Sequence, residues 1–155
     1  MDRTVWPGRF SCIGEDPLFI VDGAHNEDAA LRLRESVEMY FSGRRLLCIM
    51  GVFKDKEYDK IARIMGPLAS VIYPVALPDQ QRGLPPEKLA ETLKLYCSCV
   101  KASDELSGSP TARAAQEDTA VQNYTAAQED MVAQAVQAAL REAEKEDVIL
   151  AFGSL

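Results

Sequence analysis

Histidine, tryptophan and cysteine are scarce in this chain of 155 residues, which has one, one and four of them, and each scarcity narrows what the protein can be. Cys12, Cys48, Cys97 and Cys99 show no C-x-x-C spacing, and His25 is the one histidine available to join them. A zinc centre, which wants four such ligands, is not indicated; the cysteines read as reduced thiols of a cytoplasmic protein, with Cys12 and Cys48 inside apolar runs. Cationic charge is short too: 17 Lys and Arg face 24 Asp and Glu, for a net charge of −7. That balance repels polyanions and argues against a sequence-independent grip on nucleic acid, while leaving room for a local basic contact to one phosphate. No run approaches the roughly 20 apolar residues of a membrane span. Residues 1–9 carry Trp6-Pro7-Gly8 and two arginines without the apolar stretch of a secretory signal. None of the nine glycines precedes a lysine, so the phosphate-cradling G-x-x-x-x-G-K-[ST] loop is missing. By itself the chain is not expected to hydrolyse or use ATP.

What is present is enough for one core. With 47% hydrophobic residues, a chain of this size fills a single domain, expected over residues 1–155, and leaves no room for a second. Leu18-Phe19-Ile20-Val21 is a continuous apolar run suited to a strand buried on both faces, and beyond Asp22-Gly23 the stretch 27–40 sets Ala30, Leu33, Val37 and Tyr40 at helical spacing. The alternation recurs with Leu46 to Met50 as strand, Tyr58, Ile61, Ala62 and Met65 as one helical stripe, and Val71-Ile72-Tyr73 as strand. Pro85-Pro86 opens another helix, with Leu89, Leu93 and Tyr96 on its buried face. Strands alternating with helices predict an α/β fold: three layers, a mainly parallel sheet with helices on both faces. Ligands of such sheets meet the loops beyond the carboxyl ends of the strands, here 22–26, 52–57, 74–82 and 153–154.

From Ser98 to Gln128 the composition shifts to Ser, Ala, Gln, Thr and Asp around Ser107-Gly108-Ser109-Pro110, which predicts a surface insert at 101–124. Thr125 with Gln128 gives a capping-box signal for a last helix along Val132, Ala135, Val136, Ala139, Leu140 and Ala143. The charged run 141–147 ends it as a solvated face. Val148 to Phe152 then reads as a final buried strand, stopped by Gly153. The abrupt start at Met1 and the end at Leu155, so soon after this strand, read as the bounds of a piece of a longer chain.

Five short segments, in order and over most of the chain, carry a family resemblance: Trp6-Pro7-Gly8-Arg9-Phe10; Asp22-Gly23-Ala24-His25-Asn26; Gly51-Val52-Phe53-Lys54-Asp55-Lys56; Arg82 before Leu84-Pro85-Pro86-Glu87; and Phe152-Gly153-Ser154-Leu155. Each is weak alone, but their order is specific. Together they resemble the carboxy-terminal domain of the folylpolyglutamate and dihydrofolate synthases, within the wider Mur ligase family. The resemblance implies a Mur ligase C-terminal domain-like fold in an enzyme that adds L-glutamate to folate. ATP phosphorylates the substrate carboxylate with the assistance of Mg2+, and the glutamate amine attacks the acyl phosphate. It also implies that the phosphate loop and metal ligands sit in an amino-terminal ATP-binding domain absent from this chain. This domain would then close over the nucleotide, be inactive alone, and work in a cytoplasmic monomer. Its partners would be ATP, folate or dihydropteroate, L-glutamate and its own amino-terminal domain, with no nucleic acid and no membrane. By the same resemblance Arg9 and Asp22 contact ATP, His25 faces the same cleft as the catalytic candidate, and Ser154 meets the incoming glutamate. No metal ligand is assigned within the chain. The long insert and the stop at Leu155 depart from the family pattern.

The chemistry of these side chains agrees with such roles and admits plainer ones. The guanidinium of Arg9 never loses its charge and offers five donors in a planar fork, which suits a phosphate or a purine face; Lys would be a poor substitute. Asp22 is an acceptor where a ribose hydroxyl or adenine amine can donate, and Gly23 permits close backbone approach. The plain reading of Arg9 with Asp22 is a surface ion pair worth about 0–1 kcal/mol. A histidine titrates near neutral pH and can orient a phosphate or carboxylate, but His25 before a helix start equally fills a turn. Asn26 reads as a helix N-cap. Lys54, Asp55 and Lys56 read as a solvated loop, and Ser154 as easily caps the terminus. Two further readings of the whole chain stand beside the leading one: another Mur-type amide ligase domain, and a stand-alone nucleotide- or amino-acid-binding module, since fold alone never fixes function.

Overall fold

The computed structural model describes residues 11–15, 17–77, 81–101 and 132–154. Arg9 with its Trp6-Pro7-Gly8 segment, the expected insert and the capping box at Thr125 and Gln128 lie outside them.

A five-stranded sheet in the order β1-β2-β5-β3-β4 forms the middle layer. β2 (Leu18–Asp22), β3 (Leu46–Gly51), β4 (Val71–Pro74) and β5 (Val148–Gly153) run parallel, and β1 (Ser11–Glu15) pairs antiparallel with β2 at one edge. The last strand in sequence is thus the central one, paired with β2 on one side and β3 on the other. Every residue of β3, β4 and β5 is buried, which is why these segments read as unbroken apolar runs rather than as alternations.

Alternate residues of each strand feed two cores. Ile20, Cys48, Met50, Leu150 and Phe152 point to one face, covered by Ala30, Leu33 and Val37 of α1 (Glu27–Tyr40), Ile61 and Met65 of α2 (Tyr58–Met65) and Leu89 and Leu93 of α3 (Pro86–Leu93). Phe19, Leu47, Ile49, Tyr73, Ile149 and Ala151 point to the other, against Ala135 and Ala139 of α4, residues 132–142. Helices therefore cover both faces of a mainly parallel sheet, as the alternating pattern predicts.

Local chemistry sets the helix starts. Asn26 caps α1, its side-chain oxygen accepting from the N–H of Ala29 at 2.8 Å. Pro86 occupies the first turn of α3, where no amide donor is needed. A 3-10 turn, Gly66–Leu68, joins α2 to β4. Four expectations need correction. Tyr40 is 64% and Leu140 42% exposed: the last turn of α1 leaves the core, and Phe41 just beyond it packs inward instead. Cys12 is exposed, as is its neighbour Ile13, on the edge strand β1. Tyr96 lies past the end of α3 but still packs on the core. β1 itself escaped the sequence pattern.

Candidate functional site

Because β2, β3, β4 and β5 are parallel, the loops that follow them leave from one edge of the sheet. Asp22 ends β2 opposite Phe152 of β5, and Gly153 lies opposite Gly51 at the end of β3. The Asp22, Ser154 and Phe53 positions therefore stand on three neighbouring strand ends.

Asp22 is half-buried, and its Oδ1 accepts the N–H of Ala24 at 2.8 Å. This side-chain turn fixes the carboxylate and turns the chain so that the Ala24 methyl enters the core while His25 stays exposed. His25 Nδ1 lies 2.8 Å from the carbonyl oxygen of Gly23. A carbonyl only accepts, so Nδ1 carries the proton, and in the neutral ring Nε2 is the acceptor. Asn26 is spent on the helix cap. The loop thus presents a fixed carboxylate and an oriented imidazole ahead of the α1 N-terminus.

The β5 end is built around Gly153. Its φ is +113°, and a Cβ there would collide with the Gly51 carbonyl oxygen, so the chain turns here only with glycine. The turn lets Ser154 N–H donate to Gly51 O at 2.8 Å and brings Ser154 Oγ to 3.4 Å from the N–H of Phe53 as its acceptor. Beyond β3 the chain meets the segment after β4: Lys54 N–H donates to Arg82 O at 2.7 Å, Leu84 N–H to Val52 O at 3.0 Å, and Phe53 bridges Gly83. The Arg82 guanidinium carbon sits 4.3 Å over the Phe53 ring, a cation–π contact worth about 0.5–1 kcal/mol at an exposed site. Lys54 and Asp55 are exposed on the same loop.

Of the residues singled out from sequence, Asp22, His25 and Ser154 come to one edge of the sheet, and Arg9 lies outside the described residues. The positive φ of Gly153 and the Phe53–Arg82 stack were not anticipated. Glycine directly after a buried strand is a signal for the first, and nothing in the sequence announces the second. Among the described residues no three His, Cys, Asp or Glu side chains cluster to hold a metal ion. No helix among them is long and apolar enough to cross a membrane.

A mainly parallel sheet that gathers a fixed acid, a histidine and a glycine-turned serine at its carboxyl edge defines an open α/β domain, the class in which ligands meet the loops at that edge. Comparison with known proteins narrows the class. The model of the Mur ligase glutamate ligase domain matches residues 8–155, and the chain belongs to that family. The folylpolyglutamate synthase of Lacticaseibacillus casei is 35% identical over 80 residues, 52% of this chain and 18% of the relative. A probable bifunctional folylpolyglutamate synthase/dihydropteroate synthase of Halobacterium salinarum is 29% identical over 150 residues, 97% of this chain and 15% of the relative. E. coli FolC, solved in complex with DHPP and ADP, superposes with a TM-score of 0.72 at 27% identity over 97% of this chain and 29% of its own. The chain thus spans less than a fifth of either curated relative.

Proposed function

We propose that this chain is the carboxy-terminal, glutamate-ligase domain of a folylpolyglutamate synthase, facing an amino-terminal domain that holds ATP and Mg2+. In the reaction the terminal phosphoryl group of ATP passes to a carboxylate of the folate substrate, leaving ADP. The amine of L-glutamate then attacks the acyl phosphate, an amide forms, and phosphate departs. The observation that carries the reading is the meeting of Asp22, His25 and Ser154 on adjoining strand ends in a chain of the glutamate ligase family. Further support comes from the relatives: the L. casei protein is a folylpolyglutamate synthase, and E. coli FolC is solved with ADP and DHPP.

The parts divide by chemistry. Asp22, held by its own turn, accepts from the nucleotide, and Arg9 supplies the permanent cation opposite the phosphates or the purine. His25, its Nδ1 tied to Gly23 O, can meet a phosphate or substrate carboxylate only by donating an Nε2–H, because both of those groups accept. Ser154 meets the incoming glutamate. Mg2+ would neutralise phosphate charge, and its ligands belong to the amino-terminal domain.

The test uses the full-length protein. ADP release should depend on both glutamate and a folate acceptor, with dihydropteroate assayed in parallel. Asp22→Ala and Arg9→Ala should each lower turnover about ten-fold or more, the scale of a lost charged contact in the transition state, with the domain still folded. Full turnover in both variants would remove these residues from the site. Micromolar ATP binding by the 155-residue chain alone, measured by calorimetry, would overturn the two-sided nucleotide site.

A further inference from the structure

The loops after β3, β4 and β5 form one bonded rim. Backbone hydrogen bonds from Lys54 to Arg82 and from Leu84 to Val52, with the Phe53–Gly83 bridge between them, lock 52–54 against 82–84. The same Phe53 gives its N–H to Ser154 Oγ, at 3.4 Å. That contact is long for a hydrogen bond, so small movements of Phe53 decide whether it exists. Phe53 is only half-buried. Among the described residues, the Arg82 guanidinium lies against its ring, 4.3 Å above it. The serine backbone, in turn, is held by its own bond, Ser154 N–H to Gly51 O at 2.8 Å.

We infer that Arg82 is a positioning residue for the amino-acid substrate, acting through Phe53 on the Ser154 hydroxyl. The inference rests on the proposed reading of this edge as a glutamate-ligase site. Its physical content is a chain of three contacts: guanidinium on ring, ring-bearing residue through its amide to hydroxyl, hydroxyl to substrate. With the stack in place, the Phe53 amide donates to Ser154 Oγ, and the hydroxyl proton is left to point away toward an acceptor such as a substrate carboxylate. Without it the ring loses its lateral hold and segment 52–54 gains play about its backbone partners, enough to lengthen the 3.4 Å contact of Phe53 N–H with Ser154 Oγ and release the hydroxyl. The cost falls on binding of the amino acid rather than on the nucleotide.

The experiment is a double-mutant cycle in the full-length protein, with KM for glutamate, KM for ATP and kcat measured for wild type, Arg82→Ala, Ser154→Ala and the double variant. Arg82→Ala should raise the glutamate KM about two- to five-fold, the factor that an exposed cation–π contact supports, leaving the ATP KM unchanged. In the Ser154→Ala background the same change should have no further effect, because the residue through which it acts is gone. Arg82→Lys, which keeps a cation over the ring, should recover most of the loss. An Arg82→Ala effect of full size in the Ser154→Ala background, or one that falls on the ATP KM, overturns the inference and leaves the ligase reading intact. A wild-type protein that releases no ADP in response to glutamate defeats the ligase reading itself, and the inference with it.

Discussion

The two ends of the sheet handle polar groups in opposite ways. At the amino end, charges answer one another: Arg45, just before β3, bridges Asp147 at 3.1 Å and Glu142 at 3.0 Å, and Tyr73 of β4 donates to the other oxygen of Glu142 at 2.6 Å. Asp147 is buried, and the oxygen that meets Arg45 also accepts the N–H of Glu144. Arg44 adds a bond to the carbonyl of Glu146 at 2.7 Å. This network ties the end of α4 to the starts of β3 and β5. At the carboxyl end, side chains are fixed by backbone instead, as Asp22 is by Ala24, His25 by Gly23 and Ser154 by Phe53. Lys54 and Lys56 make no ion pair among the described residues. A group held by an amide keeps a fixed orientation.

Substitutions at the two ends should therefore separate by size and by readout. The largest loss belongs to Gly153→Ala, which must break either the β5 end or its contact with Gly51 and should cost about 3 kcal/mol or more in urea unfolding of this chain. A loss under about 1 kcal/mol would mean that the turn is not fixed as described. Asp147→Ala should cost about 1–3 kcal/mol, below the value for a wholly buried pair because Arg45 is 37% exposed and can rehydrate. Tyr73→Phe should cost about 1 kcal/mol at neutral pH and change the alkaline response. Burial, and then the hydrogen bond to Glu142 with its charge, pushes the Tyr73 phenol above its ordinary value. As pH rises past about 10, the unfolded chain releases this proton while the folded chain keeps it, so stability falls; below that pH the contribution is constant. The melting temperature of the wild type should drop more steeply between about pH 9.5 and 11 than that of Tyr73→Phe, and parallel curves would place the titrating group elsewhere. The smallest effect is expected at the other end, where Lys54→Ala and Lys56→Ala should move stability by no more than about 0.5 kcal/mol.

The same contrast explains what could be read from the sequence. β3 and β5 are legible because strands buried on both faces must be apolar throughout, and the start of α1 because Asn26 stands just ahead of a helical stripe. β1 is not. Its five residues, Ser-Cys-Ile-Gly-Glu, alternate weakly, pair on one side only and shift register between Cys12 and Gly14. Tyr40 and Leu140 sit at helical spacing yet face solvent, since periodicity does not say where a helix leaves the core. At the site, Asp22 and Ser154 were legible as polar residues ending apolar strands, whereas the Phe53–Arg82 stack depends on two loops being bonded side by side. Nor does the order of strands in the sheet follow from the pattern of strands in the chain.

That order has a consequence for how the molecule comes to exist. β2 and β3 are not neighbours in the sheet; the strand that joins them is β5, residues 148–153, which pairs with both. Among the described strands, the β1–β2 hairpin and the parallel β3–β4 pair have no link in the sheet other than β5. Of the five described strands the keystone is the last in sequence, so the other four form their joint sheet only once it is present. The strand that unites the halves also carries the Gly153 turn, so sheet closure and assembly of the ligand edge are one event.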